Sequence, residues 1–364
     1  MVDKVIYVAT ADFEAARSLD CFHGSHHTRR LHGHSFKTAV HALLPEGWPR
    51  FPGAEVDQLA KRLERCVAPL DYSHLNREIA LPTDEALARW ISERLDAPGI
   101  EYTSVQSTLR QGVALSDTGQ AYAWRRFRFE SAHRLPNVPP GHKCGRMHGH
   151  GFEVMLHARL NLEDNNPASC YHRLDDAWAP IQSQLQHACL NDIPGLANPT
   201  SENISAWIWT QMKPSLPALS LVTVYETASC AAIFDGSHFR IWKEFSLDSA
   251  VQLKRAPEGD ARRHIHGHTF TLRLHLHAPL DQVMGWVVDF GDVKEVFNPV
   301  FKQLDHQPLY ELVGDEDSDT ASLARRIKAM ATPLIPSLYR LDLIQGQGCG
   351  VILSGANRAP SFVF

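Results

Sequence analysis

The tripeptide His-Gly-His occurs three times, at His32-Gly33-His34, His148-Gly149-His150 and His266-Gly267-His268. The copies stand 116 and 118 residues apart (148 less 32, 266 less 148). A repeat of domain size restricts the fold to one unit built three times. Two further landmarks keep the same phase. A strand-like run precedes each tripeptide: Phe13-Glu14-Ala15-Ala16-Arg17, Phe129-Glu130-Ser131-Ala132-His133 and Leu247-Asp248-Ser249-Ala250-Val251. A short motif follows 38 or 39 residues later: Leu70-Asp71-Tyr72, Leu185-Gln186-His187 and Leu304-Asp305-His306. The phase predicts three units, 1–122, 123–240 and 241–364.

Within a unit the pattern reads strand, strand, helix, helix, strand, strand. In the third copy Phe270, Leu272, Leu274 and Leu276 alternate with Thr271, Arg273, His275 and His277, the signature of a strand with one buried face. Helices are expected over Val56 to Val67 and Trp178 to Ala188. A further helix starts at Asn198-Pro199-Thr200-Ser201-Glu202, which supplies a hydroxyl or amide cap, a proline near the first turn and an early acid. Ile204, Trp207 and Ile208 then recur at helical spacing and read as core. Each unit closes on extended runs, Tyr102 to Leu109, Leu221 to Phe234 and Leu341 to Leu353.

Charge narrows the function. The net charge is −5 over 364 residues, with the basic residues scattered, so no nucleic-acid surface is expected. The chain shows no apolar run of membrane-helix length and no leader at Met1-Val2-Asp3-Lys4-Val5, which predicts a cytoplasmic protein. Seven cysteines without a CxxC pair predict reduced thiols.

The second copy carries the chemistry. On a strand, His148 and His150 project from one face, and His133 lies on the preceding strand. Three neutral imidazoles with an open fourth position suit a catalytic Zn2+. Cys144 lies four residues before His148, between Lys143 and Arg146, a setting that favours a thiolate. Cys66, Cys170, Cys189, Cys230 and Cys349 read as inert. The incomplete pairs His32, His34, His266 and His268 read as strand and turn residues bonded to their neighbours.

Repeat two resembles the 6-pyruvoyl-tetrahydropterin synthase family, and within it the 6-carboxy-5,6,7,8-tetrahydropterin synthase branch of the 7-deazaguanine (queuosine) pathway. The resemblance rests on Phe129-Glu130-Ser131-Ala132-His133-Arg134-Leu135 and His142-Lys143-Cys144-Gly145-Arg146-Met147-His148-Gly149-His150. Leu190-Asn191-Asp192-Ile193-Pro194-Gly195-Leu196, Asn198-Pro199-Thr200-Ser201-Glu202 and Tyr225-Glu226-Thr227 extend it. It implies an α+β tunnelling fold (T-fold), with three ββααββ units closing a pseudo-trimeric twelve-stranded antiparallel β-barrel, helices outside. A homodimer would complete the family's double ring.

The resemblance also implies a zinc-dependent lyase acting on 7,8-dihydroneopterin triphosphate. It places the metal on His133, His148 and His150, a catalytic thiol at Cys144 and a pterin-binding carboxylate at Glu226. Arg17 and Val251 stand where His133 does, Thr28 and Arg262 where Cys144 does, and Gln106 and Gln345 where Glu226 does. The family's Asp-His dyad is intact only as Asp305-His306; repeat two has Gln186-His187 and repeat one Asp71-Tyr72. One composite site is therefore expected where repeats two and three meet, with Cys144 facing Asp305 and His306. His187 acting alone and His74 are lesser candidates. Arg29-Arg30, Arg125-Arg126 and Arg262-Arg263 are candidate phosphate ligands. Elimination that stops at 6-pyruvoyl-tetrahydropterin, and a non-catalytic pterin-binding scaffold, are the competing functions.

Overall fold

The computed structural model describes residues 3–19, 27–160, 169–314 and 317–355. The first unit runs β1 (Lys4–Arg17), β2 (His32–Ala42), α1 (Glu55–Val67), the two-residue β3 (Ser73–His74), α2 (Asp84–Arg94), β4 (Ile100–Thr108) and β5 (Gln111–Ser116). The second runs β6 (Ala121–His133), β7 (His148–Arg159), α3 (Ser169–Leu185), α4 (Ser201–Met212), β8 (Leu219–Thr227) and β9 (Cys230–Phe234). The third runs β10 (Phe239–Val251), β11 (His266–Leu276), α5 (Phe290–Phe301), the short α6 (Leu309–Leu312), α7 (Thr320–Ala331), β12 (Leu338–Ile344) and β13 (Gly350–Ser354).

Twelve of these strands form one antiparallel ladder, and β13 pairs with β1 to close it, from Lys4 opposite Ser354 to Val8 opposite Gly350. β3 lies outside the ladder, parallel to β1. Closure removes every free sheet edge, which a lone four-stranded unit would leave unpaired. Tight hairpins join the units. The turn between β9 and β10 uses Gly236 at φ 93°, where a Cβ would also collide with the Trp209 ring.

Each long strand has two different faces. On β11, Phe270, Leu272, Leu274 and Leu276 pack in one core with Phe297 of α5 and Ile327 of α7. Truncating such a leucine to alanine costs about 2–5 kcal/mol. The alternate residues turn inward and carry polar pairs: Arg273 donates to Glu244 at 2.6 Å, and His275 lies 2.9 Å from Asp342. His41, His157 and His275 recur nine residues after each His-Gly-His start, and burial pushes them down to about 4, 3 and 4. No helix among the described residues is long and apolar enough to cross a membrane.

Helix ends follow local chemistry. Thr200 caps α4, its hydroxyl accepting the Asn203 amide at 3.2 Å. The helix expected over Trp178 to Ala188 is longer at its start and shorter at its end. It begins at Ser169, tolerates Pro180 inside, and stops at Leu185 because His187 adopts φ 58° and gives its amide to the Glu130 carbonyl at 2.7 Å.

Candidate active site

The β6–β7 hairpin builds the centre. Its ladder sets His133, the last residue of β6, opposite His148, the first of β7, and Ser131 opposite His150. The ring centroids of His133, His148 and His150 lie 4.5 to 5.3 Å apart. In β8 a register shift between Tyr225 and Thr227 marks a bulge at Glu226, the kind of irregularity that re-aims a side chain. Ligand atoms of His133, His148, His150 and Glu226 all fall within 4.8 Å of one another, and no other such group of His, Cys, Asp or Glu occurs among the described residues.

The surroundings prepare these rings for a cation. Nδ1 of His133 faces the Pro199 carbonyl at 3.0 Å, and Nδ1 of His148 the Arg146 carbonyl at 2.8 Å. A carbonyl only accepts, so each Nδ1 carries the proton and Nε2 presents its lone pair. Nε2 of His133 and of His150 are buried without an aligned hydrogen-bond partner. The latter lies 3.2 Å from Glu226 Oε1. Burial holds His133 below the ordinary histidine value, hence neutral. Burial pushes Glu226 up, but its contacts with His150 and with the Ser201 hydroxyl, 3.0 Å away, outweigh it and leave the carboxyl below its usual value. Two orphaned, buried imidazole nitrogens beside an ionised carboxylate fit a divalent ion such as Zn2+.

Beside this cluster opens a cavity of about 660 Å³, walled by the second unit and by Lys243 and the Trp286–Lys294 stretch of the third. Cys144 lines it from a single 3-10 turn, Lys143–Gly145. Lys143 and Arg146 line the cavity beside it. Burial and the Glu226 carboxylate raise the Cys144 thiol above an ordinary cysteine, and Lys143 opposes them only in part. Glu202, read from sequence as an early helix acid, also lines the cavity. It is 2% exposed, accepts the Val287 amide at 2.8 Å, and burial pushes it up to about 7.

Asp305 and His306 do not line this cavity, nor do His187 and His74. The dyad itself is formed, with His306 Nδ1 2.9 Å from Asp305 Oδ2. Its backbone carries it away. The His306 amide bonds the Asp248 carbonyl at 2.7 Å, Asp305 Oδ1 accepts the Asp248 amide at 3.0 Å, and a left-handed φ of 56° leaves the imidazole 76% exposed. Tyr72 and His187 repeat this, with φ 49° and 58° and exposures of 85% and 76%. Each motif is tied to its own unit's first strand, so the expected pairing of Cys144 with Asp305 and His306 is not seen in the lining of this cavity.

The sequence model of the family described as 6-pyruvoyl tetrahydropterin synthase matches the chain three times, over residues 6–124, 122–237 and 240–355. The chain belongs to this family. A 6-carboxy-5,6,7,8-tetrahydropterin synthase from Synechocystis is 35% identical over 116 residues, covering 30% of this chain and 88% of that protein. A dihydroneopterin monophosphate aldolase from Pyrococcus furiosus is 33% identical over 111 residues, covering 30% and 90%. Among solved structures, the Caenorhabditis elegans 6-pyruvoyl tetrahydropterin synthase aligns at 21% identity and a TM-score of 0.30, over 32% of this chain and 96% of that one.

The other two family units show what replaces the centre. In the first, Arg17 stands where His133 does. Its guanidinium donates to Asp84 Oδ1 at 2.7 Å and to the Pro82 carbonyl at 2.9 Å, and lies 5.0 Å over the Phe36 ring. A built-in cation thus occupies the third ligand's place, and burial and Arg17 push His34 down to about 4. The strand register also corrects the alignment. Lys37 pairs with Gln106 as Glu153 pairs with Tyr225, so Ser107, not Gln106, matches Glu226. Ser107 donates to Asp84 Oδ2 at 2.7 Å. In the third unit Val251 offers no ligand, Gln345 does match Glu226 and bonds Thr320, and Arg262 is tied to Asp57 and Asp260. Cys230 is buried, while Cys66, Cys189 and Cys349 are half-buried and free; the Cys170 side chain lies outside the described residues.

Proposed function

We propose that this chain is a zinc-dependent 6-carboxytetrahydropterin synthase acting on 7,8-dihydroneopterin triphosphate, with one working centre per chain. The observation that carries the reading is the cluster of His133, His148, His150 and Glu226, whose last three members line one cavity with Cys144 and Glu202. His133, His148 and His150 would hold the metal, with Glu226 at its edge. A bound divalent ion there supplies Lewis acidity toward the substrate's side-chain hydroxyls.

The chain's own groups do the rest. The resemblance assigns the ring anchor to Glu226, whose contacts here are with His150 and Ser201 at the metal cluster. Glu202 suits the ring better, because its buried carboxylate can take the donor pair of a pterin's amino and ring N–H. Cys144 accepts the proton from the side-chain carbon next to the ring. Triphosphate leaves, and cleavage of the side chain with uptake of water gives 6-carboxytetrahydropterin and acetaldehyde.

Asp305 and His306 enter from a second copy. An intact, exposed dyad that its own chain does not use, beside the strand ends that carry the His pairs, supports a homodimer in which one barrel's His306 meets the other's Cys144.

The test is product analysis with purified, metal-loaded protein and 7,8-dihydroneopterin triphosphate. Acetaldehyde with 6-carboxytetrahydropterin supports the reading. 6-Pyruvoyl-tetrahydropterin alone would replace it with simple elimination, and no turnover at full metal occupancy would leave a binding scaffold.

A further inference from the structure

The structure contains two related cavities, and the difference between them points to what the larger one holds. The smaller, of about 290 Å³, lies between units one and two, with Arg125 of β6 and Asp175 of α3 in its wall. In the larger one the same two places are taken by Lys243 of β10 and Lys294 of α5. The equivalence is positional. Arg125 lies eight residues before His133, as Lys243 does before Val251, and Asp175 lies ten before Leu185, as Lys294 does before Leu304.

In the smaller cavity the pair neutralises itself. Arg125 Nε and Nη2 donate to the two oxygens of Asp175 at 2.8 Å each, a bidentate ion pair that also binds the helix to the strand. In the larger cavity the acid has become a second cation. Lys243 donates to the Ser229 hydroxyl at 2.8 Å, and neither lysine forms an ion pair among the described residues.

The cavity's acids are engaged elsewhere: Glu226 with His150 and Ser201, Glu202 with the Val287 amide, and Asp289 with the first amides of α5. With Lys143 and Arg146, which line the same cavity, Lys243 and Lys294 make four cations against the three carboxylates Glu202, Glu226 and Asp289, a balance that favours an incoming anion. A lysine is a point-charge ligand for phosphate, suited to a mobile phosphate chain more than to a planar carboxylate.

We propose that Lys243 and Lys294 form the phosphate-binding wall of this cavity and hold the polyphosphate tail of the substrate. The proposal rests on the function given above, in which a phosphorylated pterin enters this cavity. It is preferred to two of the three arginine pairs suggested by sequence: Arg125 and Arg262 are already paired with Asp175, Asp57 and Asp260, and Arg126 faces Glu153 at 3.5 Å.

The experiment compares wild type with Lys243→Gln, Lys294→Gln and Lys294→Asp, the last recreating the charge pattern of the smaller cavity. Lys294 is on an exposed part of the helix, so the fold should survive. Inorganic tripolyphosphate, given as its magnesium complex so that bound metal is not stripped, is titrated by calorimetry, and KM is measured in parallel. Each glutamine variant should weaken tripolyphosphate binding and raise KM roughly tenfold, as expected for one lost charge-assisted hydrogen bond. Lys294→Asp should go further, with metal content unchanged in all three. Tripolyphosphate binding that is absent in wild type, or equal in all four proteins, overturns the proposal. Turnover with unchanged KM in the variants overturns this wall but not the activity. Lysine-dependent tripolyphosphate binding without turnover keeps the wall and removes the activity.

Discussion

Replacing Arg17 by methionine tests whether the first unit traded a metal for a built-in cation. Arg17 and Asp84 are 3% and 1% exposed and 2.7 Å apart. Removing one partner of a buried ion pair costs about 3–5 kcal/mol, because the other charge is left in a medium that solvates it poorly. Asp84 keeps two donors, the Ser107 and Tyr171 hydroxyls at 2.7 Å each, so the loss should fall near the lower end, about 3 kcal/mol. Urea denaturation of Arg17→Met, Asp84→Asn and the double variant closes a mutant cycle. The double variant should recover a large part of the loss, with a coupling of about 2 kcal/mol. Metal content should stay as in wild type. A single-variant cost below about 1 kcal/mol, the size of a surface pair, would refute the reasoning.

Three other outcomes follow from the same geometry. Cys144→Ala should abolish turnover while the metal stays bound, since no sulfur is needed among His133, His148, His150 and Glu226; metal analysis beside a product assay checks both. Cys144→Ala and His306→Ala chains, each inactive, should regain activity when unfolded and refolded together, because one supplies the thiol and the other the imidazole; persistent inactivity would place the dyad's role within a single chain. Glu202 stands near 7 when folded against 4.5 as the ordinary value. A raised carboxyl makes the fold most stable at low pH and weakens it as pH rises from about 4.5 to 7, by about 3 kcal/mol in the ligand-free protein. Glu202→Gln should flatten that slope in denaturation measured across the range, and an unaltered slope would show that Glu202 is not the group responsible.

Much of this molecule can be read along the chain. The His-Gly-His phase finds the three units, strand alternation places His148 and His150 on one face, and Thr200 announces its helix. What the chain hides is long-range. Glu202 looks like a helix-start acid until the Val287 amide, 85 residues away, meets it at 2.8 Å. Ser107 is shifted from its neighbour Gln106 only by a bulge, and bulges leave no periodic trace. Asp305 and His306 read as partners of Cys144 because complementarity of residue types carries no direction; the backbone ties of His306 and Asp305 to Asp248 are long-range and invisible in the chain. Arg17 reads as a lost ligand, whereas with Asp84, 67 residues on, it forms a replacement for one.

The central claim is that one unit of three keeps a metal centre, and metal content per chain tests it most directly. Purified protein loaded with zinc, dialysed and analysed by mass spectrometry of the metal against protein concentration should hold close to one ion per chain, falling to none in His148→Ala. A value near three would contradict the account, since the first and third units would then bind metal despite Arg17 and Val251.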